Sequence, residues 1–592
     1  VRAQLREGQT HAEVEKLLLG VVDKLRRGEF SQADIDAIVL NNEIGDKRQL
    51  EANYFRVRKM TDAFVNHRAW SDVVERDRRL RKVTREDVIR VANAYLGPNY
   101  AVVARKAGKP EVAKIEKPTM TPVKIETDRR SEFGKKVLAM PAAELQPEWL
   151  VEGKHYTRAT LPAGPMIASQ NPRNDLFALF YKFERGHRRE RMLCYALEVV
   201  AQSGAADMSA EALQKKLFAL GTSVSFGCDA DESTIYVEGV DANLEQSVKL
   251  VDTWLREVKI DPKVLQGIAD NALSQRRDAM EDPDQLAGAL AAYALHDRDS
   301  EYLLAPTNAQ IAGARPEALA KLAREFLDHQ HRTMYFGPRA AADAAKVVPL
   351  GKAHRKATPR PPLKYRATSK PVLYFTHRDV AKSTVALGLA SPPMPRDKRP
   401  AGKLWSDYLG GGMNALLFQE LREARGLVYY AWGVLLDGTR AKDAWALRGG
   451  LGTQSDKTVE ALGTFLELLS RSIDAVRLQT ARATIDQEYR SSRVDPRNNA
   501  RLVDRWDEQG ETSDPRPWTW QQIGALTQEQ LQAFAADYAK RPVIVGIVGN
   551  KGNLDLAALK KIGELVEVAP DKLFSYGPFP QAAAAAPAAK AP

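Results

Sequence analysis

The sequence predicts an α+β protein made of tandem domains, each with helices packed on a mainly antiparallel sheet. Three observations predict this fold class. At 592 residues the chain is too long for one hydrophobic core, so we expect about three or four domains. A helix–strand pattern recurs along the chain. Runs with strand periodicity are followed by long amphipathic helices, which is typical of α+β domains.

The recurring pattern has a period somewhat above about 200 residues, which indicates tandem domains rather than a solenoid. Helices are predicted to start at Thr84, Arg315 and Thr527, with Thr84 and Thr527 as N-caps. The strands predicted after these helices are 100–103, 332–337 and 543–549. An aromatic residue stands eleven positions after each helix start: Tyr95, Phe326 and Tyr538. We therefore expect the same core contact in all three copies.

The second and third copies also agree upstream of this pattern. Met208 and Met413 are each followed, thirteen residues later, by a glycine, Gly221 and Gly426. An extended run follows each glycine. In the second copy, apolar residues alternate with polar or small ones, as in a half-buried strand. In the third copy, 427–436 is more densely apolar, and we expect a strand that is buried on both faces.

The first 105 residues contain only the later, helical half of such a domain. A half-domain cannot bury a sheet face alone, so we expect a truncated second domain whose true N-terminus lies upstream; export of the protein stays open. The expected division is 1–105 (truncated second domain), 106–150 (linker), 151–345 (third domain), 346–370 (linker), 371–565 (fourth domain) and 566–592 (low-complexity tail).

Composition excludes several classes of function. The net charge of +11 comes from 87 basic and 76 acidic residues spread along the chain, so nucleic-acid binding is not favoured. No apolar run approaches the ~20 residues that span a bilayer, so we expect no membrane span. Cys194 and Cys228 are the only cysteines, too few for a disulfide framework or a cysteine metal cluster, and one pair does not settle the redox compartment.

The segment 409–429 carries the most specific pattern in the chain. It combines a Gly-Gly-Gly cluster, the core Phe-Gln-Glu-Leu-Arg, and a glycine before a strand. This pattern resembles the signature of the C-terminal domains of M16 (insulinase-like, pitrilysin) zinc metallopeptidases. The resemblance covers 1–565, as half of the second domain and all of the third and fourth domains of a four-domain member. It implies a clamshell around a closed chamber, with zinc as cofactor and unfolded peptides as substrates.

Five residues of this segment are candidate site residues. Gly410, Gly411 and Gly412 allow a tight turn and a close approach to a neighbour, but for the glycines alone an ordinary interhelical loop is the favoured interpretation. Taken alone, Arg422 is a helix-surface charge and Tyr429 a strand aromatic. The resemblance implies that both reach across the chamber, where they hold the substrate backbone and stabilise the oxyanion.

The preceding copy lacks the polar pair, since the same two places hold Leu217 and Val224. The inverted zinc motif of the family, H-x-x-E-H, occurs nowhere in the chain. The positions where it is expected are Tyr195, Glu198 and Val199 in the third domain, and Pro400, Lys403 and Leu404 in the fourth. Neither set can bind zinc. We expect no metal on this chain, and zinc ligands upstream of residue 1 in the complete protein.

The leading hypothesis is that the complete protein is an M16 zinc endopeptidase. This chain would be inactive alone, and would supply the chamber half with Arg422 and Tyr429. Its expected partners are peptide substrates and a zinc-bearing domain of the same protein or of a separate catalytic subunit. Two alternatives stay open: a non-catalytic partner subunit of an H-x-x-E-H chain, and a purely structural scaffold of the same fold.

Overall fold

A computed structural model describes residues 1–5, 9–106, 108, 130–141 and 143–580. The chain divides into two compact units. The first unit consists of Val1–Glu43 and Tyr54–Gln146, and the second consists of Ile44–Asn53 and Pro147–Pro592. None of the described helices combines the length and apolar composition that crossing a bilayer requires.

The described part of the first unit is helical. Its helices are α1 (His11–Arg27), α2 (Gln32–Gln49, whose end lies in the second unit), α3 (Asn53–Val65), α4 (Trp70–Val74), α5 (Arg76–Leu80), α6 (Arg85–Tyr95) and α7 (Glu132–Ala139). α1 packs against α6. The side chain of Thr84 caps α6 as predicted, by accepting a hydrogen bond from the Asp87 amide.

Two expectations for this unit are wrong. Residues 100–103 form no strand, because the described part of the unit holds no other strand to pair with their backbone groups. Tyr95 is 79% exposed rather than buried, whereas Phe326 and Tyr538, its counterparts in the second unit, are both buried. Those two residues pack near sheets, and Tyr95 has no sheet within its unit. Most of the expected linker 106–150 lies outside the described residues, and α7 falls within it.

The second unit contains two six-stranded sheets and the small pair β4–β7. The strands are β1 (Thr157–Leu161), β2 (Gly164–Gln170), β3 (Leu176–Phe183), β4 (Gly204–Ala205), β5 (Ser223–Cys228), β6 (Ser233–Val240), β7 (Val258–Lys259), β8 (Arg332–Gly337), β9 (Val372–His377), β10 (Lys382–Ser391), β11 (Val428–Leu436), β12 (Trp445–Gln454), β13 (Ile544–Gly549) and β14 (Glu564–Glu567). The sheet orders are β1-β2-β8-β3-β6-β5 and β14-β9-β13-β10-β12-β11. Five successive strands therefore correspond between the sheets.

Most neighbouring strands in these sheets are antiparallel. The parallel pairs are β2–β8, β9–β13 and β9–β14. The helices of this unit are α8 (Leu193–Val200), α9 (Ala210–Ala219), α10 (Leu244–Arg256), α11 (Pro262–Glu281), α12 (Pro283–His296), α13 (Glu301–Leu304), α14 (Asn308–Ala312), α15 (Pro316–Phe326), α16 (Ala341–Val347), α17 (Arg399–Gly410), α18 (Thr458–Ser470), α19 (Ala475–Ser491), α20 (Pro496–Glu508), α21 (Arg516–Ala525), α22 (Gln528–Ala539) and α23 (Leu556–Ile562). The predicted α+β class is confirmed.

Each sheet is apolar on both faces. Successive residues along a strand point to opposite faces, and both sets are apolar. We call 151–345 the third block and 371–565 the fourth block. In β8, Tyr335 points into the core of the third block, and Met334 points to the opposite face. In β13, Val545 and Ile547 face the core of the fourth block, while Ile544 faces away from it. Because the residues on both faces are buried, each sheet must be covered by other parts of the chain on both sides.

The second face of each sheet is covered by a helix from the other block. α12 lies on β13, β10 and β9, and α20 lies on β2 and β8. Both helices begin with the same Asp-Pro pair, in which Asp282 or Asp495 caps the helix and the proline occupies its first turn. The two blocks thus exchange one helix each.

The two exchanged contacts differ in chemistry. α12 buries Leu290 and Leu295 against the second sheet, and Gly388 leaves room for Leu295, because a Cβ at Gly388 would lie 2.4 Å from its Cδ2. α20 adds charges to an apolar contact. Lys182 of β3 lies 3.2 Å from Asp504 and 2.8 Å from Glu508, all largely buried.

A second buried ion pair joins α20 to the segment that follows α2. Arg497 donates two hydrogen bonds to the carboxylate of Glu51, of 2.9 and 2.7 Å, and Asn174 donates a third. Glu51 is 5% exposed and Arg497 8%. Burial alone would raise the pKa of Glu51, but the hydrogen bonds from Arg497 and Asn174 and the Arg497 charge lower it below the usual value.

The C-terminal part of the chain differs from the expected tail over 566–592. β14 pairs in parallel with β9, and Leu573 and Phe574 are buried beside α12. These contacts could not be read from composition, because their apolar residues are few and spaced widely. The remainder of the expected tail, 581–592, lies outside the described residues.

Replacing Arg497 should cost far more stability than replacing a surface arginine of the same helix. Arg497→Ala leaves the Glu51 carboxylate buried without its partner, so we expect a loss of about 3–5 kcal/mol. Arg505→Ala is the control, because Arg505 pairs with Asp437 in solvent and should contribute about 0–1 kcal/mol. Urea unfolding of both variants measures the difference, and equal losses would contradict the importance of the buried pair.

The Glu51–Arg497 pair should also make stability depend on pH in the acid range. The lowered folded-state pKa of Glu51 stabilises the protein fully above its unfolded pKa, ordinarily 4.5, and this contribution disappears as the pH falls through the folded value. Wild type should therefore exceed Glu51→Gln in stability at pH 7, and the gap should close below pH ~4. Unfolding curves at several pH values test this, with Glu211→Gln as control; a gap independent of pH would refute it.

Candidate functional site

The site begins where α17 meets strand β11. α17 ends at Gly410, and a Cβ at that position would lie 2.1 Å from the carbonyl oxygen of Gly433 in β11. Gly410 is thus required by a close backbone approach. Gly412 has φ +148°, a conformation that favours glycine, with open space around it. The glycine cluster therefore allows the chain to leave α17 tightly against β11.

The segment after the glycines forms a π-helix, Phe418–Ala424. It occupies the place of α9 in the preceding copy, with the same spacing to the following glycine. α9 buries Leu213 and Leu217 in successive turns, whereas the π-helix buries Leu421. Leu421 corresponds to Lys216, one residue before Leu217. The face directed to the core is therefore shifted by one residue, and Arg422, the counterpart of Leu217, points outward.

Arg422 and Tyr429 lie side by side on the surface. The Arg422 guanidinium is 6.0 Å from the centre of the Tyr429 ring and 4.8 Å from that of Phe418. Tyr429 is 74% exposed, and Gly426, with φ +58°, ends the helix between them. Stacking of this kind contributes about 0.5–1 kcal/mol at an exposed site. The structure brings the two candidate residues together with both polar groups reachable from solvent.

A second cation, which no local sequence pattern indicates, joins this pair. Lys382, at the start of β10, has its Nζ 5.6 Å from the centre of the Tyr429 ring. It is 47 residues from Tyr429 in sequence, and only the pairing of β10 with β12 and of β12 with β11 brings it near. Arg422, Tyr429 and Lys382 together form a basic, hydrogen-bond-donating surface, which we call the Arg–Tyr patch.

The expectation that 427–436 is buried on both faces is wrong. β11 is the edge strand of its sheet, and Tyr430 is 40% and Trp432 39% exposed. An edge strand has a neighbour on one side only, and α12 covers the inner strands β13, β10 and β9 rather than β11. The dense apolar run therefore provides an exposed aromatic surface next to the Arg–Tyr patch.

The positions of the missing zinc motif do not fit a metal. In the third block, Tyr195 and Glu198 line a cavity, and Val199 packs into the core. In the fourth block, Leu404 is buried in the core and Lys403 forms an ion pair with Asp407. The described residues contain no group of three or more His, Cys, Asp or Glu side chains that could hold a metal ion.

The second unit contains two repeated α+β blocks that share one strand order. One of these blocks bears the Arg–Tyr patch. Residues 311–485 match the family model described as the peptidase M16 inactive domain. An uncharacterized zinc protease of Mycobacterium bovis is 32% identical over 124 residues, or 20% of this chain and 26% of that protein. One from Mycobacterium leprae is 29% identical over 224 residues, or 35% of this chain and 48% of its own.

Solved structures share the fold. The peptidase M16 inactive domain from Pseudomonas fluorescens superposes with a TM-score of 0.56 at 15% identity, covering 67% of this chain and 98% of its own. The periplasmic protease PqqL from Escherichia coli gives 0.54 at 14% identity, covering 90% of this chain and 63% of its own. Residues 311–485 thus match the M16 inactive domain, and the chain shares the fold of M16-like peptidase structures. The chain spans about a quarter to a half of the length of the mycobacterial relatives that it matches.

Two glycine-to-alanine substitutions should change stability in opposite directions. At Gly410 the added methyl group overlaps backbone atoms of Gly433, which cannot move alone, so we expect a loss of about 2–4 kcal/mol. At Gly463, within α18, the methyl meets nothing within 4 Å, and better helix propensity should stabilise by about 0.5–1 kcal/mol. Thermal unfolding tests both. A neutral Gly410→Ala variant would contradict the close approach.

Proposed function

We propose that this chain supplies the substrate-holding half of an M16 zinc metalloendopeptidase that encloses and hydrolyses unfolded peptides. The observation that carries the proposal is the adjacency of Arg422 and Tyr429 on an exposed surface. A guanidinium has five N–H donors and a phenol one O–H donor, so the pair can hold two points of one peptide. The match of 311–485 to the M16 inactive-domain model and the similarity to relatives named zinc proteases support the same reaction.

In this proposal Arg422 donates hydrogen bonds to backbone carbonyl oxygens of the bound peptide. The Tyr429 hydroxyl donates to the carbonyl oxygen that becomes negatively charged as the peptide bond is attacked. Donors that are in place before the reaction stabilise that charge without reorganisation. The aromatic contacts of Arg422 with Phe418 and Tyr429 restrain its long side chain, which lowers the entropic cost of holding the donor in place.

The zinc belongs elsewhere in this proposal, because the residues of this chain do not fit it. Its ligands would lie in a domain outside this chain, either in the same protein or in a separate catalytic subunit. The chain's contribution is then to bind and orient the peptide and to stabilise charge, with no activity by itself.

We also propose that the protein works in an oxidising compartment outside the cytoplasm. Cys194 and Cys228 form a disulfide that joins α8 to the end of β5. Disulfides of this structural kind persist in exported proteins and are rare in the reducing cytosol. The similar E. coli structure is described as a periplasmic protease, which supports the same location.

The role of the pair is tested by peptide cleavage with the chain joined or mixed with its zinc-bearing counterpart. Tyr429→Phe should lower kcat about a hundredfold, because it removes the donor to the developing charge. Arg422→Ala should lower kcat/KM, because it removes the donors that hold the peptide backbone. Arg425→Ala and Tyr430→Phe, next to them in sequence, are matched controls and should retain activity. Unchanged kinetics in both test variants would refute these roles and favour the structural scaffold.

A further inference from the structure

The third block contains a cavity of about 1240 Å³ at the place of the missing zinc motif. It lies between α8, α11 and the first turn of α12, with Phe226 of β5 and Tyr576 on its walls. Tyr195 and Glu198 are three residues apart on α8 and therefore share the face that borders the cavity. The cavity combines polar groups at this face with aromatic walls, which is typical of a ligand site.

Two buried polar atoms of residues that line the cavity lack a hydrogen-bond partner among the described residues, the Tyr195 hydroxyl and Nε2 of His187. Tyr195 is 4% exposed, and its hydroxyl has no hydrogen-bond partner among the described residues. Burial raises the pKa of Tyr195 to about 12, so this hydroxyl is neutral. A buried hydroxyl without a partner costs about 1–3 kcal/mol. A ligand atom in the cavity that forms a hydrogen bond with the Tyr195 hydroxyl removes this free-energy cost.

The charges of the cavity favour a cation. Arg276 is its principal cation, and its guanidinium already donates to the Pro306 carbonyl and the Asn308 side chain and stacks on Tyr576 at 4.4 Å. The Arg276 guanidinium therefore has little remaining capacity to bind an anionic ligand. By contrast, Glu198 makes no ion pair or hydrogen bond within the described part of the chain.

The other carboxylates of the cavity are mostly committed. Glu281 lies 3.2 Å from Arg378, and Asp282 caps α12. Asp278, like Glu198, has no cation within ion-pair distance among the described residues. Water reaches the Glu198 carboxyl, yet the cavity walls desolvate it and raise its pKa, while Arg276 opposes this shift. A cation in the cavity would meet two carboxylates that have no ion pair.

We propose that this cavity binds a lysine or arginine side chain of the bound peptide. The charged end contacts Glu198 and donates to the Tyr195 oxygen, and the apolar stem lies along Phe226. Long basic side chains suit such a site, since their methylene groups pack on apolar walls while the head keeps polar partners. The inference rests on the proposed function, because it assumes that peptides reach this surface.

The test compares two labelled peptides, each acetylated at the N-terminus and amidated at the C-terminus, that differ only in lysine or norleucine at one position. Fluorescence anisotropy gives the Kd of each for the chain itself, so no zinc-bearing partner is needed. We expect the lysine peptide to bind about tenfold more tightly, as for a charge-assisted hydrogen bond. Glu198→Gln should abolish this preference, and Tyr195→Phe should reduce it.

Glu211→Gln is the matched control, because Glu211 is an exposed carboxylate of the same block on α9. It should keep the tenfold preference. Equal binding of both peptides to wild type, or a preference that survives Glu198→Gln, would overturn the cavity proposal and leave the proposed function standing. Failure of both peptides to bind at all would overturn the proposed function as well.

Discussion

The exchange of α12 and α20 between the two sheets is the packing on which the rest of the second unit depends. Each sheet carries apolar side chains on both faces, and the helices of its own block cover only one. The other faces are covered by α20 and α12, each from the opposite block. A sheet with an uncovered apolar face would be unstable in water, so the two blocks stabilise each other.

The two exchanged helices differ in what they contribute. α12 contributes apolar area on small residues of the second sheet, with Gly388 giving room for Leu295. α20 brings buried charges whose partners must be correctly placed, above all Arg497 with Glu51. A mispaired buried charge is costly, so the α20 side rejects wrong registers that an apolar contact would tolerate. The first turn of α12 also borders the cavity of the third block, which couples that cavity to the packing of the sheets.

The parts of the fold that the sequence predicted are those with local signals. The capped helices at Thr84 and Thr527 and the strand-forming runs depend on nearby residues, and both caps are confirmed. The errors concern what a segment packs against. Tyr95 has the same local spacing as Phe326 but no sheet beside it, and the run 427–436 looks buried because nothing local distinguishes an edge strand from a central one. Only strand pairing brings Lys382 to the candidate site, so no local pattern could have indicated it.

The difference between the two copies explains how one scaffold came to carry different sites. α9 has ten residues and the π-helix has seven, but the segments Met208 to Gly221 and Met413 to Gly426 that contain them are equally long. The two helices nevertheless direct faces one residue apart to the core. A wider turn accommodates this shift without an insertion, and such turns are frequent at functional sites. In the third block Leu217 is buried, whereas in the fourth block its counterpart Arg422 lies beside Tyr429. A one-residue rotation of one helix therefore accompanies the polar pair, while the order of five strands is the same in both sheets.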